Sequence, residues 1–147
     1  MLKTGKEIGS ALKKTDYTKS IFDTIQEKNC FYALRAIFKS HLVCPNVPIS
    51  TYIDMDAVHK HFPDVKHEKL EAIYASFVVF DQVRNYTPHY MFQFDYRFVI
   101  HTREHIAKVK AFYEMIDVHF HVIDSKHERS IKEYTKYFER MLEADTL

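Results

Sequence analysis

Residues 89–101, HYMFQFDYRFVIH, hold a period of two over the whole run. Tyr90, Phe92, Phe94, Tyr96, Phe98 and Ile100 alternate with His89, Met91, Gln93, Asp95, Arg97, Val99 and His101. Side chains point to opposite faces only on an extended chain, so this segment predicts a long strand with one aromatic and one largely polar face. A strand of that kind belongs to a sheet backed by helices on one face, its other face solvated or binding something. Whatever fold the chain takes, it must contain a sheet.

The residues that follow set the connectivity. Thr102 caps an expected helix of about fourteen residues with Ile106, Val109, Tyr113 and Ile116 as its buried stripe, and residues 117–123, DVHFHVI, read as a second strand. A crossover helix between two strands of one sheet makes them parallel and the connection right-handed. Ser125-Lys126-His127-Glu128 has the spacing of a capping box and opens a last helix with Ile131, Tyr134, Phe138 and Met141 on its apolar side. Steps of three and four also suit a coiled-coil seam, but packing on the aromatic face of strand 89–101 is the preferred explanation.

Upstream the period is helical. Ile21, Phe22 and Ile25 form one stripe and Phe31, Leu34, Ile37 and Phe38 another, giving a helix over 31–41. Cys44-Pro45-Asn46-Val47-Pro48 is expected to be a loop, since two prolines three apart disfavour helix and sheet interior alike. A short helix at 55–62, a Pro63-Asp64 break and a further helix at 65–75 follow, and the Val78-Val79 pair tilts residues 76–83 towards strand. The fold class is therefore α+β: a helical N-terminal half, then a small ββαβα sheet layer. Residues 1–15, lysine-rich and carrying both glycines, read as a flexible basic arm. The remainder, 16–147, reads as one domain, with 16–101 as a winged-helix portion and 102–147 as an αβα portion.

Glycine excludes more than any other residue. Gly5 and Gly9 are the only two in 147 residues, so GxGxxG, GxxxxGK[ST] and GxSxG are all absent. Dinucleotide folds, P-loop NTPases and α/β-hydrolases are excluded with them. An apolar share of 46%, with 12 Phe and 10 Tyr, is that of a globular chain with a substantial core. No apolar stretch approaches the roughly 20 residues of a membrane span, and no secretory h-region follows the N-terminal lysines, so a cytoplasmic location is expected. Cys30 and Cys44 lack metal or redox spacing and are expected to be reduced thiols.

Helix 31–41, helix 55–62, the Pro63-Asp64 turn, helix 65–75 and a hairpin joined by 84–88 follow the order of a winged helix-turn-helix. On that reading Lys66, His67 and Lys69 face a DNA major groove, Arg84 reaches a phosphate from the wing tip, and the arm, with Lys13 and Lys14, adds electrostatic grip. The charge is modest for the role: residues 1–70 carry 11 Lys+Arg against 8 Asp+Glu, net +3, and 71–147 carry 10 against 12, net −2. Dimerisation would double the footprint. The leading expectation is a non-enzymatic, DNA-binding regulatory protein, dimeric and without cofactor. A protein–protein adaptor or inhibitor is the alternative, and a histidine-based metal-dependent enzyme the third reading.

The third reading rests on ten histidines. His119 and His121 project from one face of a strand about 6.6 Å apart, a spacing that suits two imidazoles on one metal. His101 is the preferred third ligand, with Asp95 and His127 as substitutes. His59 and His61 on a helix face different directions, and a His41–Cys44 nucleophile pair lacks an orienting third group.

Overall fold

The computed structural model describes residues 17–61, 63, 74–98 and 103–145. In chain order the elements are α1 (Ile25–Ile37), β1 (His41–Pro48), α2 (Met55–His61), β2 (Tyr74–Asp81), β3 (Thr87–Phe94), α3 (Arg103–Met115), β4 (His119–Ile123) and α4 (Ile131–Asp145). Short 3-10 turns occupy Ile49–Thr51 and Asp95–Phe98. The strands form one open mixed sheet in the order β1-β2-β3-β4, antiparallel across the first two pairings and parallel across the third. The α+β class and the parallel β3-α3-β4 crossover are as expected. Among the described residues no helix is long and apolar enough to cross a membrane.

The sheet is covered on both faces, not one. Phe77, Val79, Phe92, Phe94 and Ile123 pack beneath α1 and α4, against Cys30, Leu34, Tyr134 and Phe138. Ala75, Val78, Phe80, Met91 and Phe120 pack on the other side, against Val58 of α2 and Val109, Phe112 and Tyr113 of α3. The supposed polar face of strand 89–101 is thus a second core face: Met91 is fully buried and Gln93 is 1% exposed. Period alone reads Gln93 as solvated. The side chain is instead buried because Ser76 satisfies it (below).

Four boundaries differ most from expectation, and three more shift: α1 opens at Ile25, after Ile21 and Phe22 of the expected helical stripe; Tyr74 and Ala75, expected to close a helix, open β2; and β4 begins at His119 rather than 117. First, the segment expected as a loop at 44–48 is the second half of β1. It is an edge strand, which tolerates Pro45 and Pro48 because it needs hydrogen bonds from one neighbour only. Val43 and Val47 nonetheless bury in opposite clusters, because Asn46 between them turns the strand at φ 52°. Second, α1 ends at Ile37 and not at 41, with the Phe38 N–H closing on the Leu34 carbonyl at 2.8 Å. Third, β3 stops at Phe94 and passes into a 3-10 turn, so the strand is shorter than the alternating run. Fourth, the capping box lies at Ser130–Glu133 and not at Ser125–Glu128. Ser130 Oγ accepts from Glu133 N–H (3.1 Å) while Glu133 Oε1 accepts from Ser130 N–H (3.3 Å).

A winged helix-turn-helix is not confirmed. Residues 76–81 are strand, and β2 and β3 do form a hairpin, but its strands are the two central strands of the sheet rather than a projecting wing. Most of the proposed recognition helix, 64–73, lies outside the described residues.

A chain so poor in glycine still needs left-handed backbone. Asp117 supplies it after α3 at φ 61°, where Val118 N–H returns to the Tyr113 carbonyl at 2.9 Å. Asn85 and Tyr86, both at φ 57°, supply it in the β2–β3 turn. α1 and α4 are joined through Gln26, whose Oε1 accepts from Tyr134 Oη (2.7 Å) and Arg129 N–H (3.1 Å). Arg129 in turn lies over the Tyr137 ring at 4.2 Å.

Candidate metal centre

At the end of the sheet that carries the β2–β3 turn, three strands bring together His41, Asp81 and His89. His41 opens β1, and the register sets it opposite Asp81, the last residue of β2. On β3 the pairing shifts, with Val79 opposite Tyr90 but Phe80 opposite Pro88, so His89 is the extra residue of a bulge. A bulge re-aims the side chain it carries. The His89 ring lies 5.7 Å from that of His41 and 5.7 Å from that of His119.

One ligand atom from each of His41, Asp81 and His89 lies within 4.8 Å of the others. Ligand atoms on a tetrahedral zinc stand about 3.4 Å apart, so closure needs side-chain rotations of roughly 1–1.5 Å. His89 Nδ1 is buried and has no hydrogen-bond partner among the described residues. Burial, then the neighbouring His119 and His41, hold the His89 pKa below its ordinary 6.5. The ring is thereby kept neutral at pH 7, the form that ligates metal. Asp81 Oδ1 accepts from Val83 N–H at 2.9 Å, and its Oδ2 faces Arg84 Nε at 3.8 Å, which leaves lone pairs for an ion.

The histidine pair singled out from sequence lies nearby but is otherwise engaged. His119 and His121 do share a face, the aromatic one: His119 stacks on Tyr90 (4.8 Å) and His121 on Phe92 (5.6 Å). Asp145 of α4 sits between them, its Oδ2 2.7 Å from His121 Nε2 and 3.9 Å from His119 Nδ1. A carboxylate holds the place that the sequence reading gave to an ion. His101 lies outside the described residues. Asp95, one substitute third ligand, is at the opposite end of the sheet, where it accepts from Ser125. The other, His127, is exposed.

That opposite end is polar too, but closed. Gln93 Oε1 accepts from the N–H (2.7 Å) and Oγ (3.1 Å) of Ser76, and Ser76 Oγ accepts from Phe94 N–H at 3.2 Å. Glu27, buried in the first turn of α1, accepts from Tyr96 Oη at 2.6 Å and Asp23 N–H at 2.7 Å.

A pocket of about 670 Å³ opens beside the histidine cluster, between α2, α3 and the β2–β3 turn. Asp81, His89 and Arg84 line one side, and Val58, Phe112 and Ile116 are among the apolar residues of the other. Tyr52, which also lines the pocket, shares a hydroxyl hydrogen bond of 2.9 Å with Tyr113. Burial pushes the Tyr52 pKa up to about 12 and that of Tyr113 well above its ordinary value.

Of the residues proposed for nucleic acid, Lys13, Lys14, Lys66, His67 and Lys69 lie outside the described residues. Arg84 is described: its side chain is 70% exposed in the turn and flanked by Asp81 at 3.8 Å and Asp117 at 3.9 Å. Cys30 is fully buried, and burial raises its thiol pKa well above the usual value; Cys44, half-buried on β1, is raised for the same reason. Neither thiol is set up as a nucleophile.

Sequence reasoning missed His41 and Asp81 as partners of His89, since 39 residues and then 7 separate them along the chain. Only the register of β1 on β2 and the bulge in β3 join them. No protein-family model matches this chain, and no curated protein or solved structure is found to be similar to it.

Proposed function

We propose that this chain binds one divalent transition-metal ion through His41, Asp81 and His89, with a coordination position left open. The observation that carries the reading is the approach of three ligand atoms to within 4.8 Å of one another. The unpartnered His89 Nδ1 supports it, because a buried polar atom without a partner is uncommon in a native fold. Two imidazoles and a carboxylate suit zinc and its neighbours better than calcium or magnesium. Three protein ligands are the complement of exchange-competent and catalytic sites rather than of closed structural ones.

The test is metal content. Untagged protein, stripped with chelator and re-equilibrated with zinc or cobalt, should retain about one equivalent, and His41→Ala and His89→Ala should each lose it while His121→Ala keeps it. Retention by His89→Ala with loss in His121→Ala would move the site to the Asp145 pair. No retention by the native chain would end the reading.

Nucleic-acid binding is a second proposal. It has one described residue to stand on, the exposed Arg84 of the turn. Its two carboxylate neighbours oppose a phosphate. Binding to a random duplex that falls steeply with salt and weakens in Arg84→Ala would support it. Salt-independent or absent binding would retire it in favour of a protein partner.

A further inference from the structure

Two of the three ligating residues, Asp81 and His89, also line the 670 Å³ pocket, so an ion held there stands at the pocket wall. Arg84 lines the same wall. Its approaches to Asp81 and Asp117, 3.8 and 3.9 Å, are too long for hydrogen bonds, which leaves the guanidinium fork able to take a better acceptor. Two further carboxylates line the pocket. Asp54 Oδ1 accepts from Ala57 N–H at 3.1 Å as the cap of α2, and the Asp117 side chain is 87% exposed. The facing wall, built from Ala57 and Val58 of α2 and Phe112 of α3, is apolar apart from His61 at the end of α2. A bound ion and the Arg84 guanidinium, set among Asp54, Asp81 and Asp117 and facing an apolar wall in a volume of the size that encloses small molecules, suit a small acid with an apolar body.

We infer that the ion at His41, Asp81 and His89, together with Arg84, binds the carboxylate of a small organic acid whose apolar part enters the pocket between α2 and α3. One carboxylate oxygen takes the open coordination position and Arg84 donates to the other. This rests on the metal reading, and the experiment separates the two.

Cobalt(II) is loaded into the full chain, and its visible absorption, which reports coordination number and ligand type, is followed as benzoate or acetate is added. Benzoate should change the spectrum saturably and bind about tenfold more tightly than acetate, since only its ring reaches the apolar wall. Arg84→Met should weaken both acids about tenfold. Ala57→Phe, its fold checked by circular dichroism, should fill the pocket and abolish the preference for benzoate. Absence of cobalt uptake overturns the metal reading and this inference with it. Stoichiometric cobalt with a spectrum indifferent to benzoate overturns this inference alone, as does equal affinity for the two acids. Benzoate binding of the same strength to metal-free protein, seen by ligand-observed NMR, would show that the ion is not the anchor.

Discussion

Both ends of the sheet gather polar side chains, and they treat them differently. At the end formed by the start of β2 and the close of β3, Ser76, Gln93 and Glu27 are buried and each is answered by another part of the chain. At the other end, His41, Asp81 and His89 converge without bonding to one another, and a buried ring nitrogen has no partner among the described residues. A self-satisfied network fixes one packing and asks for nothing from solution. An unsatisfied cluster stores polar capacity that an external group can use, and native folds violate their own bonding rules mostly where they have work to do.

The largest effect expected on this contrast is at the closed end. Gln93→Leu strands both the N–H and the hydroxyl of Ser76 in the core, so stability in urea should fall by about 2–4 kcal/mol. If Gln93→Leu costs under about 1 kcal/mol, the network is not closed and the contrast fails. At the open end, zinc at a hundredfold excess over its dissociation constant should raise stability by about 2.7 kcal/mol, measured as an upward shift of the urea midpoint, and His89→Ala should erase that gain. Tyr113→Phe, which leaves the half-buried Tyr52 hydroxyl to find water, should cost about 1 kcal/mol and leave zinc binding intact.

The smallest effect is the pH dependence of the metal-free chain. Burial and two neighbouring imidazoles depress the His89 pKa in the folded state, so the unfolded chain takes up a proton first as pH falls. Stability is then fully present above the unfolded value near 6.5 and is lost as pH drops through it towards the folded value. His89→Phe should flatten the urea midpoint against pH between about 7 and 5. A profile unchanged by that substitution would assign the acid sensitivity elsewhere.

Much of the architecture is legible in the residues themselves. The alternation of Tyr90, Met91, Phe92, Gln93 and Phe94 declares β3, and a helical stripe between it and His119–Ile123 declares the parallel crossover. The packing of Tyr134 and Phe138 against Phe92 and Phe94 was likewise written in their spacing. What period cannot show is whether a polar residue has a partner. Gln93 reads as solvated and is buried, because Ser76, 17 residues away, takes its oxygen. Ser125 and Ser130 each precede a Glu by three, and only tertiary contact chooses between them, the chain from Asp124 to Arg129 being held by Tyr137, Gln26 and Asn29. Prolines hid β1 because the rule against them applies to interior strands. The candidate metal centre was the least legible feature, since its geometry comes from strand register and one bulge rather than from any local spacing.

The prolines of β1 also bear on what this chain does in a crowded solution. A bare sheet edge is a template on which a second chain can lay down its own backbone. β1 carries Pro45 and Pro48, which have no amide proton to donate, and the left-handed turn at Asn46, held by its Nδ2 on the Ile21 carbonyl at 2.8 Å, bends it out of register with any straight partner. Among the described residues β4 carries no such interruption on its outer side. Fibrillation or strand exchange, were either provoked by partial unfolding, would therefore propagate from β4 and stop at β1.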